Sequence, residues 1–177
     1  MKKFFDKIKD VATPTAVLAI ICIVVTLALA SSNLLTRDKI SALAEENKTK
    51  AMNELVVADE FATVETENYT YNTATKDGTI IAYIFTTSSK GYGGDVTVMT
   101  AIDPELSIIG IKILDASGET PGLGQNVTKE SFYGQFKGKG GKIDAVTGAS
   151  ISSKAVTDAV NEAYKYASEI LAKGAKS

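Results

Sequence analysis

Asp144-Ala145-Val146-Thr147-Gly148-Ala149-Ser150-Ile151-Ser152-Ser153-Lys154 joins a short apolar stretch to a long amphipathic one. Beyond it Val156, Ala159, Val160, Ala163, Tyr164, Ala167, Ile170 and Leu171 recur at helical spacing. That pattern predicts a C-terminal helix starting near Ser152, with one apolar face laid on a core. Asp158 and Glu162 fall on its outer face, Lys173 and Lys176 suit its C-terminal dipole, and Gly174 stops it. Residues 143–146 read as a short strand leading into the junction. Small and hydroxyl residues at such a junction offer a free hydroxyl and several unpaired backbone N–H groups, near Ser152 and Ser153, which is what a phosphate needs. The same residues also suit an ordinary turn and helix cap.

Upstream, the period is that of strands. Residues 69–74, 79–87, 96–102 and 106–114 are rich in β-branched and aromatic residues and are separated by turn signals. Lys76-Asp77-Gly78 marks a hairpin, and Asp103-Pro104-Glu105 turns the chain again. Together the four strands and the C-terminal helix predict an α+β domain, an antiparallel sheet packed by that helix. Two loops interrupt the pattern: Gly91-Tyr92-Gly93-Gly94, and Glu119-Thr120-Pro121-Gly122-Leu123-Gly124, which reads as rigid and polar-tipped. Phe132, Tyr133 and Phe136 fall on a short helix or turn. Lysines and glycines alternate over 137–142, but no Gly-Lys pair there precedes Ser or Thr, so this is a basic loop and not a P-loop.

The chain has 177 residues, a net charge of −2, no histidine and one cysteine, Cys22. It therefore holds no Cys₄ iron–sulfur site, no Cys/His zinc site and no His-ligated haem of its own. Ser-His-Asp and Cys-His catalysis are excluded as well. No basic face stands out, so nucleic acid is not an expected partner. A redox role would need a borrowed organic cofactor.

Residues 11–36 carry no charge. As a helix they would span roughly 39 Å, enough for a bilayer core of about 30 Å. Pro14 then lies near the start of the span, where its missing N–H does little harm. A signal peptide cleaved after Ala30 is the rival reading, since Lys2, Lys3, Lys7 and Lys9 form a basic leader. The length of the uncharged run favours an uncleaved anchor. Basic residues flank both ends of the span, so charge bias alone leaves orientation close to a draw. The short N-terminal tail favours a cytoplasmic N-terminus and an exported main domain. Residues 34–58 read as a helix that continues from the span or follows a short break at Ser31-Ser32-Asn33, a solvated stalk. The division expected is a tail over 1–10, a transmembrane helix over 11–36, a juxtamembrane helix over 37–60 and the main domain over 61–177.

The membrane span, the segments at 91–94 and 119–124, and Asp144 followed by Thr147-Gly148-Ala149-Ser150 come in an order that resembles the G subunit of Rnf electron-transport complexes. That protein shares its FMN-binding domain with the C subunit of Na⁺-translocating NADH:quinone oxidoreductase. The resemblance covers most of the chain. It implies FMN attached by a phosphoester to the last hydroxyl of the motif, Ser150. It also implies that Gly148 and Ala149 keep the site open, that Thr147 bonds the phosphate or ribityl chain or only its own backbone, and that Asp144 is read by a flavin transferase or shapes the turn. By the same resemblance Glu119, Thr120, Leu123 and Gly124 lie against the isoalloxazine ring, and Tyr92 stacks on it.

The implied function is a membrane-anchored electron relay within an ion-translocating ferredoxin:NAD oxidoreductase, beside iron–sulfur subunits and a second flavin subunit. A stand-alone anchored FMN protein of another extracytoplasmic chain is the alternative. No motif for ferredoxin or NAD is present. Two departures from the family pattern stand out: Ser150 replaces the usual Thr, and Ala116-Ser117-Gly118 stands where many relatives carry a His.

Overall fold

In the computed structural model, residues 2–66, 68–138 and 143–174 are described. The chain divides into two compact units, Met1–Glu46 and Asn47–Ser177.

Helix α1 runs from Lys2 to Leu55. It has no break at Ser31-Ser32-Asn33, because hydroxyls along this stretch bond within the helix. Thr26, Ser31 and Thr36 each donate to the carbonyl four residues back, at 2.7, 2.8 and 2.8 Å. Such back-bonding satisfies the hydroxyls within the helix itself. Pro14 opens the apolar span, as expected, but α1 begins at Lys2, so the proline lies inside the helix and removes one i−4 bond there. Pro14–Arg37 is long and apolar enough to cross a membrane, and its large side chains, such as Leu18 and Leu29, are exposed.

The second unit begins with the last turns of α1. Here the expectation of a solvated stalk reaching residue 58 fails. Ala51, Met52 and Val56 are buried against Ala74, Ala82, Ile84, Met99 and Ala101. The helix stops at Leu55 because the chain turns to pair with the sheet: Asp59 N–H donates to Thr75 O at 2.9 Å, and Asp77 N–H donates to Asp59 Oδ2 at 2.9 Å. The next element is a strand missing from the sequence reading, β1 (Glu60–Glu65). It is an edge strand with Phe61 and Val64 only half-buried, so its alternation is faint.

The sheet has five strands, not four: β1, β2 (Thr70–Lys76), β3 (Thr79–Lys90), β4 (Asp95–Ile102) and β5 (Ile108–Asp115), in sequential antiparallel order. Asp77 and Gly78 both adopt positive φ, 51° and 75°, which the tight β2–β3 hairpin requires. After β5 come a 3₁₀ turn (Gly124–Thr128), the short helix α2 (Glu130–Tyr133) and a second 3₁₀ turn (Gly134–Phe136), as expected for Phe132, Tyr133 and Phe136. Residues 143–146 form no strand. Residues 139–142 of the basic loop, the Lys173 side chain and Lys176 lie outside the described residues.

Helix α3 (Ser150–Gly174) starts two residues earlier than expected. Its Ala155, Val156, Ala159, Val160, Ala163 and Ala167 pack on Tyr71, Phe85, Val96, Val98 and Ile111. Thr87 Oγ1 donates to Ala159 O at 2.8 Å, tying β3 to α3 at depth. The sheet is thus covered on both faces. The alanine stripe brings α3 close to β3 and β4, which fixes the helix N-terminus beside the ends of the loops after β3 and β5.

Candidate functional site

Three loops meet at the N-terminus of α3. The first, 91–94, joins β3 to β4 and is closed by Gly91 N–H donating to Gly94 O at 2.8 Å. Tyr92 stands at its tip, 72 % exposed. The loop lies flat on the turn after β5, where a β-carbon on Gly93 would come within 1.9 Å of Gly118 O. Backbone-to-backbone approach of this kind needs glycine.

The second loop leaves β5 at Asp115, whose Oδ1 accepts the Ser117 N–H at 2.8 Å. The Ser117 backbone and hydroxyl hold the Asp115 carboxyl below its ordinary value. Glu119 N–H donates to Ala116 O at 3.0 Å, and the Glu119 side chain then turns inward. Next, Thr120-Pro121-Gly122-Leu123 forms a turn closed by Leu123 N–H to Thr120 O at 3.2 Å, with Gly122 at φ 76°. Proline second and a left-handed glycine third are what a type II turn needs. Leu123 is thrust outward, 44 % exposed.

The third loop is the junction itself. Ala149 N–H donates to Val146 O at 2.9 Å, with Gly148 at φ 76° inside the turn. Ser153 locks it: its hydroxyl donates to Ala149 O at 2.9 Å and accepts the Val146 N–H at 3.0 Å. The Ser153 N–H is also used, donating to Ala149 O at 2.9 Å. The first-turn N–H groups with no hydrogen-bond partner among the described residues are therefore those of Ser150, Ile151 and Ser152, one position earlier than the sequence suggested. The first turn has no acidic residue of its own, so its positive end is uncompensated along α3.

These loops enclose a cleft of about 480 Å³, within the range of small-molecule sites. Of the residues chosen on sequence, Tyr92, Thr120, Leu123, Gly124, Gly148, Ala149 and Ser150 all line it. Ser150 is the first residue of α3 and is exposed, so its hydroxyl is accessible beside the free N–H groups.

Three chosen residues lie elsewhere. Glu119 is behind the cleft, 2 % exposed, accepting the Gly93 N–H on Oε1 at 3.1 Å and the Ser152 hydroxyl on Oε2. Asp144 and Thr147 line a separate depression with Lys129 and Gln135. There Gln135 grips the Asp144 backbone, accepting its N–H at 2.8 Å and donating to its carbonyl at 3.2 Å, which leaves the carboxylate on the surface.

Sequence reasoning missed Ile151, which lines the cleft at 54 % exposure, and the buried Ser152 side chain. Position just after the motif is the only sign either gives.

The residues present fit a flavin mononucleotide. A hydroxyl and three N–H donors suit its phosphate, Tyr92 and Leu123 offer faces for a planar ring, and a β-carbon on Gly148 would fill the cleft, 2.6 Å from Leu123 Cδ2.

Residues 91–165 match the FMN-binding domain family. The chain is similar to the G subunit of a proton-translocating ferredoxin:NAD⁺ oxidoreductase complex from Clostridium ljungdahlii, 41 % identical over 119 residues, covering 60 % of this chain and 63 % of the relative. It is also similar to the G subunit of the Na⁺-translocating complex of Acetobacterium woodii, 37 % identical over 102 residues and 48 % of each chain. The G subunit of an ion-translocating oxidoreductase complex from Haemophilus influenzae is 27 % identical, over 80 % of this chain and 81 % of the relative. The match spans less than two thirds of the Clostridium protein. Among solved structures, the C subunit of the Na⁺-translocating NADH-quinone reductase of Parabacteroides distasonis aligns with a TM-score of 0.45 and 26 % identity, over 51 % of this chain and 56 % of that one.

Proposed function

Taking residues 91–165 as an FMN-binding domain, we propose that this chain is a membrane-anchored electron-transfer subunit that holds FMN covalently on Ser150. The observation that supports this most is the convergence at one cleft: an exposed hydroxyl on the first residue of a 25-residue helix, set among loops from three parts of the chain. When bound, FMN would supply one- and two-electron chemistry.

Each residue has a part in this reading. Ser150 Oγ would hold the flavin phosphate as a phosphoester, with FAD as the flavin donor and AMP and the hydroxyl proton released. The free N–H groups of Ser150, Ile151 and Ser152 and the α3 dipole stabilise the remaining phosphate charge, by about 0.3–1 kcal/mol for the dipole alone. Thr120, backbone groups of 120–124, Leu123 and Tyr92 line the cleft and would hold the flavin ring. Asp144, on the surface and away from the cleft, is read by the flavin transferase. Thr147 serves the turn and that outer surface.

The span in α1 anchors the chain in the cell membrane with its N-terminus in the cytoplasm and the FMN domain outside. There a dissociable flavin would be lost, which gives covalent attachment a purpose. An exposed cleft suits exchange of electrons with neighbours, and the named relatives are subunits of multi-subunit complexes. The partners proposed are iron–sulfur and membrane subunits of an Rnf-type ferredoxin:NAD oxidoreductase, with a second flavin subunit. Affinity purification of the tagged full chain from detergent-solubilised membranes tests this part. Iron–sulfur subunits and a reversibly reducible flavin should co-purify with it. A flavin-bearing chain that purifies alone points to an independent anchored flavoprotein.

A further inference from the structure

Glu119 is the one acidic side chain among the described residues that is withdrawn from solvent, and it forms no ion pair with them. A buried carboxylate without a counter-ion is unfavourable unless donors surround it. Two donors do: the Gly93 N–H on Oε1 at 3.1 Å and the Ser152 hydroxyl on Oε2. Ser152 is the third residue of α3, so the carboxylate lies at the helix's positive end, where α3 itself supplies no acid. The fit is tight, since a β-carbon on Gly91 would come within 2.2 Å of Oε1 and one on Gly124 within 2.9 Å of Oε2. Gly124 and Ser152 both line the cleft. Glu119 is therefore one residue layer beneath whatever occupies it.

Resting on the FMN reading above, we propose that Glu119 is a positioning residue: it places a fixed negative charge beneath the cleft and holds the reduction potential of the flavin there lower than the cleft alone would set it. Reduction adds negative charge to the cofactor. A like charge at short range, screened by protein and not by water, opposes that addition. The carboxylate also offsets part of the α3 dipole, which would otherwise favour it. Both effects have the same sign.

The test compares wild type, Glu119→Gln and Ser152→Ala as full-length, detergent-solubilised, flavin-loaded chains by spectroelectrochemical titration. Glutamine keeps the shape. Its carbonyl can accept the Gly93 N–H and its amide can donate to Ser152 Oγ, so both contacts of the side chain are kept. Glu119→Gln should raise the midpoint potential with flavin content and thermal unfolding close to wild type. Ser152→Ala removes one of the two donors to the Glu119 carboxylate and should move the potential away from the wild-type value. An unchanged or lower potential in loaded Glu119→Gln overturns the proposal. Should that variant not fold, Ser152→Ala decides, and an unchanged potential there overturns it. A wild-type chain that takes up no flavin overturns the FMN reading, and this inference with it.

Discussion

Gly148 and Leu123 meet across the cleft so closely that a β-carbon on Gly148 would lie 2.6 Å from Leu123 Cδ2. Gly148 also holds a φ of 76°. Gly148→Ala therefore faces two separate penalties: left-handed backbone strain of about 1–3 kcal/mol, and displacement of Leu123 from the cleft. Urea unfolding should report the first, and loss of flavin loading in cells containing transferase the second. Normal loading in this variant would contradict the placement of Leu123 over the cofactor.

Ser153 makes the turn before α3 hold its shape. Its hydroxyl serves Ala149 O and the Val146 N–H at once, in a buried setting. Ser153→Ala should destabilise the domain by about 1 kcal/mol, because the Val146 N–H loses its acceptor while Ala149 O keeps the Ser153 N–H. Denaturant melts would measure this. A variant as stable as wild type would mean that the junction is held by other contacts.

Much of the fold is readable from periodicity, yet the reading fails where tertiary context decides. The Asp77-Gly78 hairpin, strands β2 to β5 and the α3 stripe have strong local signals. β1 has none, because an edge strand buries only Phe61 and Val64 in part. The buried end of α1 reads as a stalk because Ala51 and Met52 alone show no stripe. At the site, Tyr92, Thr120, Leu123 and Ser150 are legible through motif order. The inward turn of Glu119 is not, since a charged residue beside Thr-Pro-Gly reads as surface until Gly91, Gly93 and Gly124 are seen to make room for it.

Asp144 offers a way to separate recognition from structure. Its backbone is fixed by Gln135, and its carboxylate has no hydrogen-bond partner among the described residues. Asp144→Asn should leave unfolding unchanged and slow transferase-dependent loading roughly tenfold or more, as expected for loss of one charged hydrogen bond. Time courses of flavin incorporation check this, and wild-type kinetics would rule out recognition through Asp144.

Asp115 predicts an acid limb. Hydrogen bonds from the Ser117 backbone and hydroxyl lower its folded pKa. Its contribution is therefore present above the unfolded value, about 3.9, and is lost as pH falls through the lower folded value. Asp115→Asn keeps an acceptor for the Ser117 N–H but cannot titrate. Urea melts from pH 7 to pH 3 should show a shallower loss of stability below about pH 5 in the variant. Identical slopes would mean that Asp115 is not linked to folding.

The central claim is the covalent bond at Ser150, and peptide mass analysis after co-expression with an active flavin transferase tests it most directly. The account predicts an FMN phosphoester on the Ser150 peptide of the denatured wild-type chain and none in Ser150→Ala. An unmodified Ser150 peptide, from cells in which the transferase modifies a control substrate, would contradict it.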